Sequence, residues 1–181
     1  MTRIALADAR ARLDRSGVLE RIADYDPRWI GSIPLDVHLA GADIDLCCYA
    51  PELEGFRAAL DGAFGAMPGF RSKLNLHAGE PSVIAYFNLG DLPVEIYGRD
   101  RPVDCHESFI HWLAEDRLLR LAEDRLRADV RKAKASGLKT EPAFAQCLNL
   151  GGEPFAEILK LASPPDEALR AMIRRAGYAS A

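Results

Sequence analysis

Ile30-Gly31-Ser32, a gap of ten residues, and then Asp43-Ile44-Asp45-Leu46 decide how this chain reads. The stretch sets a tight Gly-Ser turn ahead of two carboxylates separated by one apolar residue. On a strand, alternate side chains face the same side. Asp43 and Asp45 then project together while Ile44 turns to the core. Two carboxylates held side by side repel each other and are costly to bury unpaired. A divalent cation resolves that cost, and an all-oxygen donor set suits Mg²⁺. Backbone amides in the Gly-Ser turn approach a phosphate. The pieces together describe a metal–nucleotide site.

Glu95 strengthens that reading. It stands in Leu92-Pro93-Val94-Glu95-Ile96-Tyr97, a charged residue inside an apolar strand. A carboxylate in such a setting needs a partner. If the sheet sets Glu95 beside Asp43 and Asp45, three carboxylates surround one or two metal ions, Mg²⁺ or alternatively Mn²⁺. Such a centre activates an attacking hydroxyl and stabilises charge on a transferred phosphorus and on departing pyrophosphate.

Around this stretch the periodicities place the remaining elements. An amphipathic helix is expected from Thr2 to Ala23, with Gly17 as an interruption and Asp26-Pro27 as its end. Leu53, Phe56, Leu60, Phe64 and Met67 repeat at helical spacing, so a helix is expected from Pro51 to Met67, stopped by Pro68-Gly69. Phe70–His77, Ser82–Leu89 and Pro93–Tyr97 read as strands of a meander, turned at Gly79-Glu80-Pro81 and Gly90-Asp91. From Phe109 to Ser136 the pattern is one long helix or two shorter ones. Gly137 stops it, Thr140 caps the next helix, and Pro142 sits in that helix's first turn. The class is α+β: a mixed sheet with flanking helices, then an all-helical C-terminal half. The expected division is residues 1–100 as core and 101–181 as a helical region packed on it, or one continuous domain.

The 181 residues are 49% hydrophobic and 28% charged, enough to bury a real core. A net charge of −4 argues against extensive nucleic-acid binding. The N-terminus has neither the apolar run nor the composition of a targeting peptide, and no segment is apolar enough to span a bilayer, so a cytoplasmic protein is expected. Cys47, Cys48, Cys105 and Cys147 match no zinc spacing and read as small buried hydrophobes. His38, His77, His106 and His111 form no ligand pattern. Trp29 and Trp112 read as core or interface anchors.

Between Arg117 and Lys139 stand eight basic and three acidic residues. They describe either a basic helix facing a polyanion or a solvated face of mixed charge. Lys139, Arg71, Lys73, Arg99 and Arg101 are candidate phosphate ligands, Arg99 because it follows the Glu95 strand so closely. Lys139 also has a purely structural reading in its stop–cap–start sequence.

The order of Ile30-Gly31-Ser32, Asp43-Ile44-Asp45-Leu46 and Val94-Glu95-Ile96 resembles the DNA-polymerase-β-like nucleotidyltransferase superfamily. There a hydrophobic residue, Gly and Gly or Ser precede an Asp-x-Asp/Glu pair, and a third acidic residue follows on a later strand. Within it, Gly31-Ser32-Ile33-Pro34-Leu35, Val94-Glu95-Ile96-Tyr97-Gly98 and Gly137-Leu138-Lys139-Thr140-Glu141-Pro142-Ala143-Phe144 resemble a small bacterial family labelled a domain of unknown function. GrpB-like proteins are a more distant likeness. The resemblance implies that Asp43, Asp45 and Glu95 are catalytic and hold metal, and that Gly31 and Ser32 hold the β- and γ-phosphates of an NTP. Glu95 is longer than the Asp usual at the third position. The activity implied is Mg²⁺-dependent transfer of NMP from an NTP to an acceptor: a small molecule, a protein side chain or an RNA end. The alternative is an inactive nucleotide-binding or antitoxin-like module of the same fold.

Overall fold

The computed structural model describes residues 2–77 and 79–179, with the side chain of His77 outside that description. The ends of the two expected regions, Met1, Ser180 and Ala181, also lie outside it. The chain divides into two compact units. One holds the residues up to Ile33 and Ala40–Phe109; the other holds Pro34–Leu39 and the residues from Ile110 on.

The first unit is a five-stranded mixed sheet: β1 (Arg28–Ile30), β2 (Ile44–Tyr49), β3 (Arg71–His77), β4 (Glu80–Leu89) and β5 (Leu92–Arg99), in the order β1-β2-β5-β4-β3. Only β2 and β5 run parallel; the other pairs are antiparallel. A parallel pair needs a long crossover, and α3 (Leu53–Phe64) with the β3–β4 hairpin supplies it. Alternation assigns the faces. Ile44, Leu46, Cys48, Val83, Ala85, Phe87, Val94 and Ile96 turn to one side. They form a core there with Ala9 and Leu13 of α1 (Leu6–Ser16) and with Phe56, Leu60 and Phe64 of α3. The contact is close: a Cβ on Gly98 would lie 2.9 Å from Phe56 Cδ1, so β5 needs glycine there.

The expected Thr2–Ala23 helix is shorter and broken. Gly17 takes a left-handed φ of 65° that ends α1, α2 (Val18–Arg21) follows, and a single 3₁₀ turn (Ala23–Tyr25) leads to β1. The strands outrun their sequence limits, because Glu80 and Pro81 pair with His77 and Leu76 rather than forming the turn.

The second unit is helical: the greater part of α4 (Glu107–Leu121), then α5 (Asp124–Ala135), α6 (Thr140–Cys147), α7 (Pro154–Lys160) and α8 (Asp166–Arg175). The Phe109–Ser136 region is two helices. They part at Glu123, whose extended backbone donates its N–H to the Ala179 carbonyl instead of continuing a helix. The N-cap of α6 is Lys139, not Thr140. Thr140 is already helical, and its hydroxyl accepts from Lys134 Nζ at 2.8 Å. Leu35 and Val37 are buried with Leu118, Leu126, Val130, Phe144 and Ile173. Arg127 Nε donates to the Leu35 carbonyl at 3.2 Å, and Arg131 Nη1 donates to the Asp36 carbonyl at 2.9 Å and to its carboxylate at 3.3 Å.

Candidate active site

β1 ends at Ile30, paired with Asp45, and the chain enters the turn at Gly31 with φ 81°. Glycine is required there twice. The left-handed backbone disfavours any Cβ, and a Cβ built on Gly31 would lie 2.8 Å from Asp45 Cγ. The Asp45 carboxylate therefore lies against the bare Gly31 backbone. Ser32 follows, half-buried, and Ile33 is fully buried.

Register does the rest. Asp45 pairs with Ile30 on one side and Glu95 on the other; Glu95 pairs with Tyr86, and Tyr86 with Arg71. One rung thus crosses all five strands as Ile30, Asp45, Glu95, Tyr86, Arg71. Directly paired side chains share a face, and this face is opposite the helix-packed core. Neighbouring strands lie about 4.8 Å apart, so the Asp45 and Glu95 backbones are adjacent. Asp43, two residues before Asp45, precedes the first residue of β2. The next rung, with Cys47 and Tyr97, is covered. Cys47 Sγ lies 2.7 Å from His106 Nδ1, and the His106 ring meets Tyr97 edge-on. The acidic rung is the part of this face left half-open.

The electrostatics agree with the geometry. Burial pushes the Glu95 carboxyl above its ordinary range; the Tyr86 hydroxyl, which donates to it, pulls the other way, the Asp43 charge adds to the rise, and Arg71 opposes it. Tyr86 is itself raised by burial and by the Glu95 charge it faces. The Arg71 guanidinium stacks over the Tyr86 ring, 4.1 Å from its centroid.

In kind, this donor set fits Mg²⁺: carboxylate oxygens, with no nitrogen or sulfur among the three residues. It is not drawn up into a closed cage. Among the described residues no three His, Cys, Asp or Glu groups stand gathered for a metal ion. Asp45 rests on Gly31 and Glu95 is bonded to Tyr86, so the two carboxylates turn to opposite neighbours.

The other sequence candidates lie elsewhere. Arg99, on the Glu95 face but two rungs farther along β5, is buried and donates to Glu80 Oε2 at 2.9 Å. Lys139 is exposed in the second unit, just before α6. In the basic stretch, Arg117 pairs with Asp166, Arg120 with Asp116 and Arg125 with Asp129. Most of the stretch is thus a mixed-charge surface, while Arg127 and Arg131 hold residues 34–39. Sequence reasoning missed Tyr86 as the neighbour of Glu95. The signal was present: a two-residue turn at Gly90-Asp91 sets Leu89 opposite Leu92, and counting back pairs Tyr86 with Glu95.

Comparison with known proteins gives the fold a setting. A family profile described as a domain of unknown function, DUF4269, matches residues 11–161. No curated protein sequence matches. Among solved structures, Cid1 poly(U) polymerase with MgGTP bound is similar over 72% of this chain and 41% of its own, at 19% identity and a TM-score of 0.53. Cid1 with Mg 3′-dATP bound is similar over 84% and 47%, at 17% and 0.54. The GLD-2/RNP-8 complex is similar over 81% and 58%, at 13% and 0.54. The chain thus spans less than two thirds of each. Its fold is that of the polymerase-β-like nucleotidyltransferases. No helix among the described residues is long and apolar enough to cross a membrane.

Proposed function

The chain belongs to the DUF4269 family, and from the site built on its sheet we propose that it is a metal-dependent nucleotidyltransferase. The observation that carries this reading is the rung that sets Asp45 beside Glu95 with Gly31 against Asp45. Asp43, Asp45 and Glu95 are the residues that hold Mg²⁺, which when bound supplies charge neutralisation at the transferred phosphorus. Gly31 and Ser32 present the turn to the β- and γ-phosphates of an NTP. An acceptor hydroxyl oxygen attacks the α-phosphorus. The bond from that phosphorus to the bridging oxygen breaks, pyrophosphate leaves with the electron pair, and the hydroxyl proton passes to water. Burial and the Asp43 charge raise the Glu95 carboxyl, and a cation held there would oppose that rise. Arg99 remains a candidate phosphate contact, exchanging Glu80 for the nucleotide.

Calorimetry with MgATP, paired with transfer of label from α-labelled NTPs, tests the reading. Wild type binds and transfers, whereas Asp43→Asn with Asp45→Asn does neither. Equal binding or transfer by that variant removes the metal assignment. A second reading, nucleotide binding without turnover, is favoured by Asp45 lying against Gly31 while Glu95 accepts from Tyr86. MgATP binding with no pyrophosphate release under any acceptor selects it.

A further inference from the structure

The acidic rung does not stop at Glu95. On the far side from the Gly-Ser turn it continues through Tyr86 to Arg71, and the next residue of β3 on the same face is Lys73. Arg71 and Lys73 are both exposed. The Arg71 guanidinium carbon sits 4.1 Å from the Tyr86 ring centroid, which holds the cation beside the rung. Across this part of the face, from Arg71 to Asn75 on β3 and from Ser82 to Asn88 on β4, there is no carboxylate. The face is therefore polarised: the Gly-Ser turn at the β1 end of the rung, carboxylates in the middle, Arg71 at its β3 end and Lys73 at the β3 end of the next rung.

Phosphoryl displacement runs in line, with attacking and leaving oxygens on opposite sides of the phosphorus. If the Gly31-Ser32 turn holds the departing pyrophosphate, the acceptor approaches from the β4–β3 side. We infer that the acceptor is a small hydroxyl compound carrying a phosphomonoester, its phosphate gripped by Arg71 and Lys73 and its hydroxyl directed at the α-phosphorus. The inference rests on the nucleotidyltransferase reading above. Two cations match a dianionic phosphate better than a neutral or cationic acceptor. Glu95 and Arg71 lie two strand spacings apart, about 10 Å between backbones. The reach of the arginine shortens that to roughly the width of a sugar ring. The reaction balances as before: a new ester bond from acceptor oxygen to α-phosphorus, with pyrophosphate and the hydroxyl proton released.

Two matched pairs test it with α-labelled ATP and Mg²⁺: ribose 5-phosphate against ribose, and AMP against adenosine. The dinucleotide ApA serves as a phosphodiester and kanamycin as a cationic acceptor. The expected result is about tenfold higher kcat/KM for the phosphorylated member of at least one pair, and which pair responds separates sugar phosphates from nucleotides. Arg71→Gln with Lys73→Gln, both exposed positions, erases that preference through the acceptor KM while the MgATP Kd holds. Equal use within both pairs, preference for ApA or kanamycin, or transfer to none of these overturns the acceptor assignment. MgATP calorimetry separates the two failures. Loss of the acceptor preference with Asp43- and Asp45-dependent MgATP binding intact removes only this inference, whereas absence of that binding removes the nucleotidyltransferase reading as well.

Discussion

Replacing Gly31 with alanine tests the central contact of the site without touching a charged group. The cost has two parts. An L-residue at φ 81° costs about 1–2 kcal/mol in left-handed backbone. The new Cβ also meets the Asp45 carboxylate, 2.8 Å from Cγ. That side chain must leave its rotamer, at about 0.5–1.5 kcal/mol. The full penalty is then about 1.5–3.5 kcal/mol. In an Asp45→Ala background only the backbone part survives, because the remaining Asp45 Cβ is 3.1 Å away and needs little adjustment. Urea denaturation of the four proteins in this double-mutant cycle should show a coupling near 1 kcal/mol, above the ~0.3–0.5 kcal/mol within which independent sites add. Asp45→Ala has its own effect through lost repulsion, and the cycle cancels it. Equal cost for Gly31→Ala in both backgrounds would refute the claim that the carboxylate lies on the turn.

Gly98→Ala should cost about 1–3 kcal/mol by overpacking, since its Cβ meets the Phe56 ring at 2.9 and 3.0 Å; an unchanged urea midpoint would refute that packing. Glu115 in α4 is deeply buried, and burial first, with the Glu141 charge adding and Lys134 opposing, lifts its carboxyl well above the ordinary range. Its folded pKa exceeds its unfolded one, so stability is full below the unfolded value and falls as pH rises toward the folded one. Glu115→Gln should remove that slope and be the more stable protein at neutral pH, and parallel stability–pH curves would sink the idea. With a thiol-titrating reagent, exposed Cys105 should react fast, while buried Cys47, its thiol raised to about 12, and Cys48 stay silent until unfolding; loss of fast signal in Cys47→Ser would contradict this.

How far the chain could be read from its residues depended on whether the deciding interaction was local. The strands and α3 were legible because alternation and helical spacing are written in consecutive residues, and the Gly-Ser turn and aspartates were legible as a pattern. The break at Glu123 was not, because the Ala179 carbonyl that takes its N–H lies far along the chain. The role of Arg127 and Arg131 was hidden for the same reason: their partners are carbonyls at Leu35 and Asp36, and backbone acceptors leave no mark in composition. Arg99 looked like a free cation beside the Glu95 strand until the β3–β4 hairpin supplied Glu80. The contact of Cys47 with His106 joined two residues for which spacing held no signal, since no common motif sets them at that distance. Tyr86 was within reach of register counting, and Arg71 one further step along the same rung.

The segment Pro34–Leu39 has a practical consequence for dissecting the molecule. The chain leaves the sheet unit after Ile33 and returns at Ala40, so the loop between the Gly-Ser turn and the aspartate strand finds its hydrophobic housing among the C-terminal helices. A fragment ending near Phe109 would keep all five strands and every carboxylate of the rung, yet strand Leu35 and Val37 in water. No single cut yields two self-sufficient pieces. Complementation by mixing the two halves, rather than expression of either alone, is the form in which this site survives division.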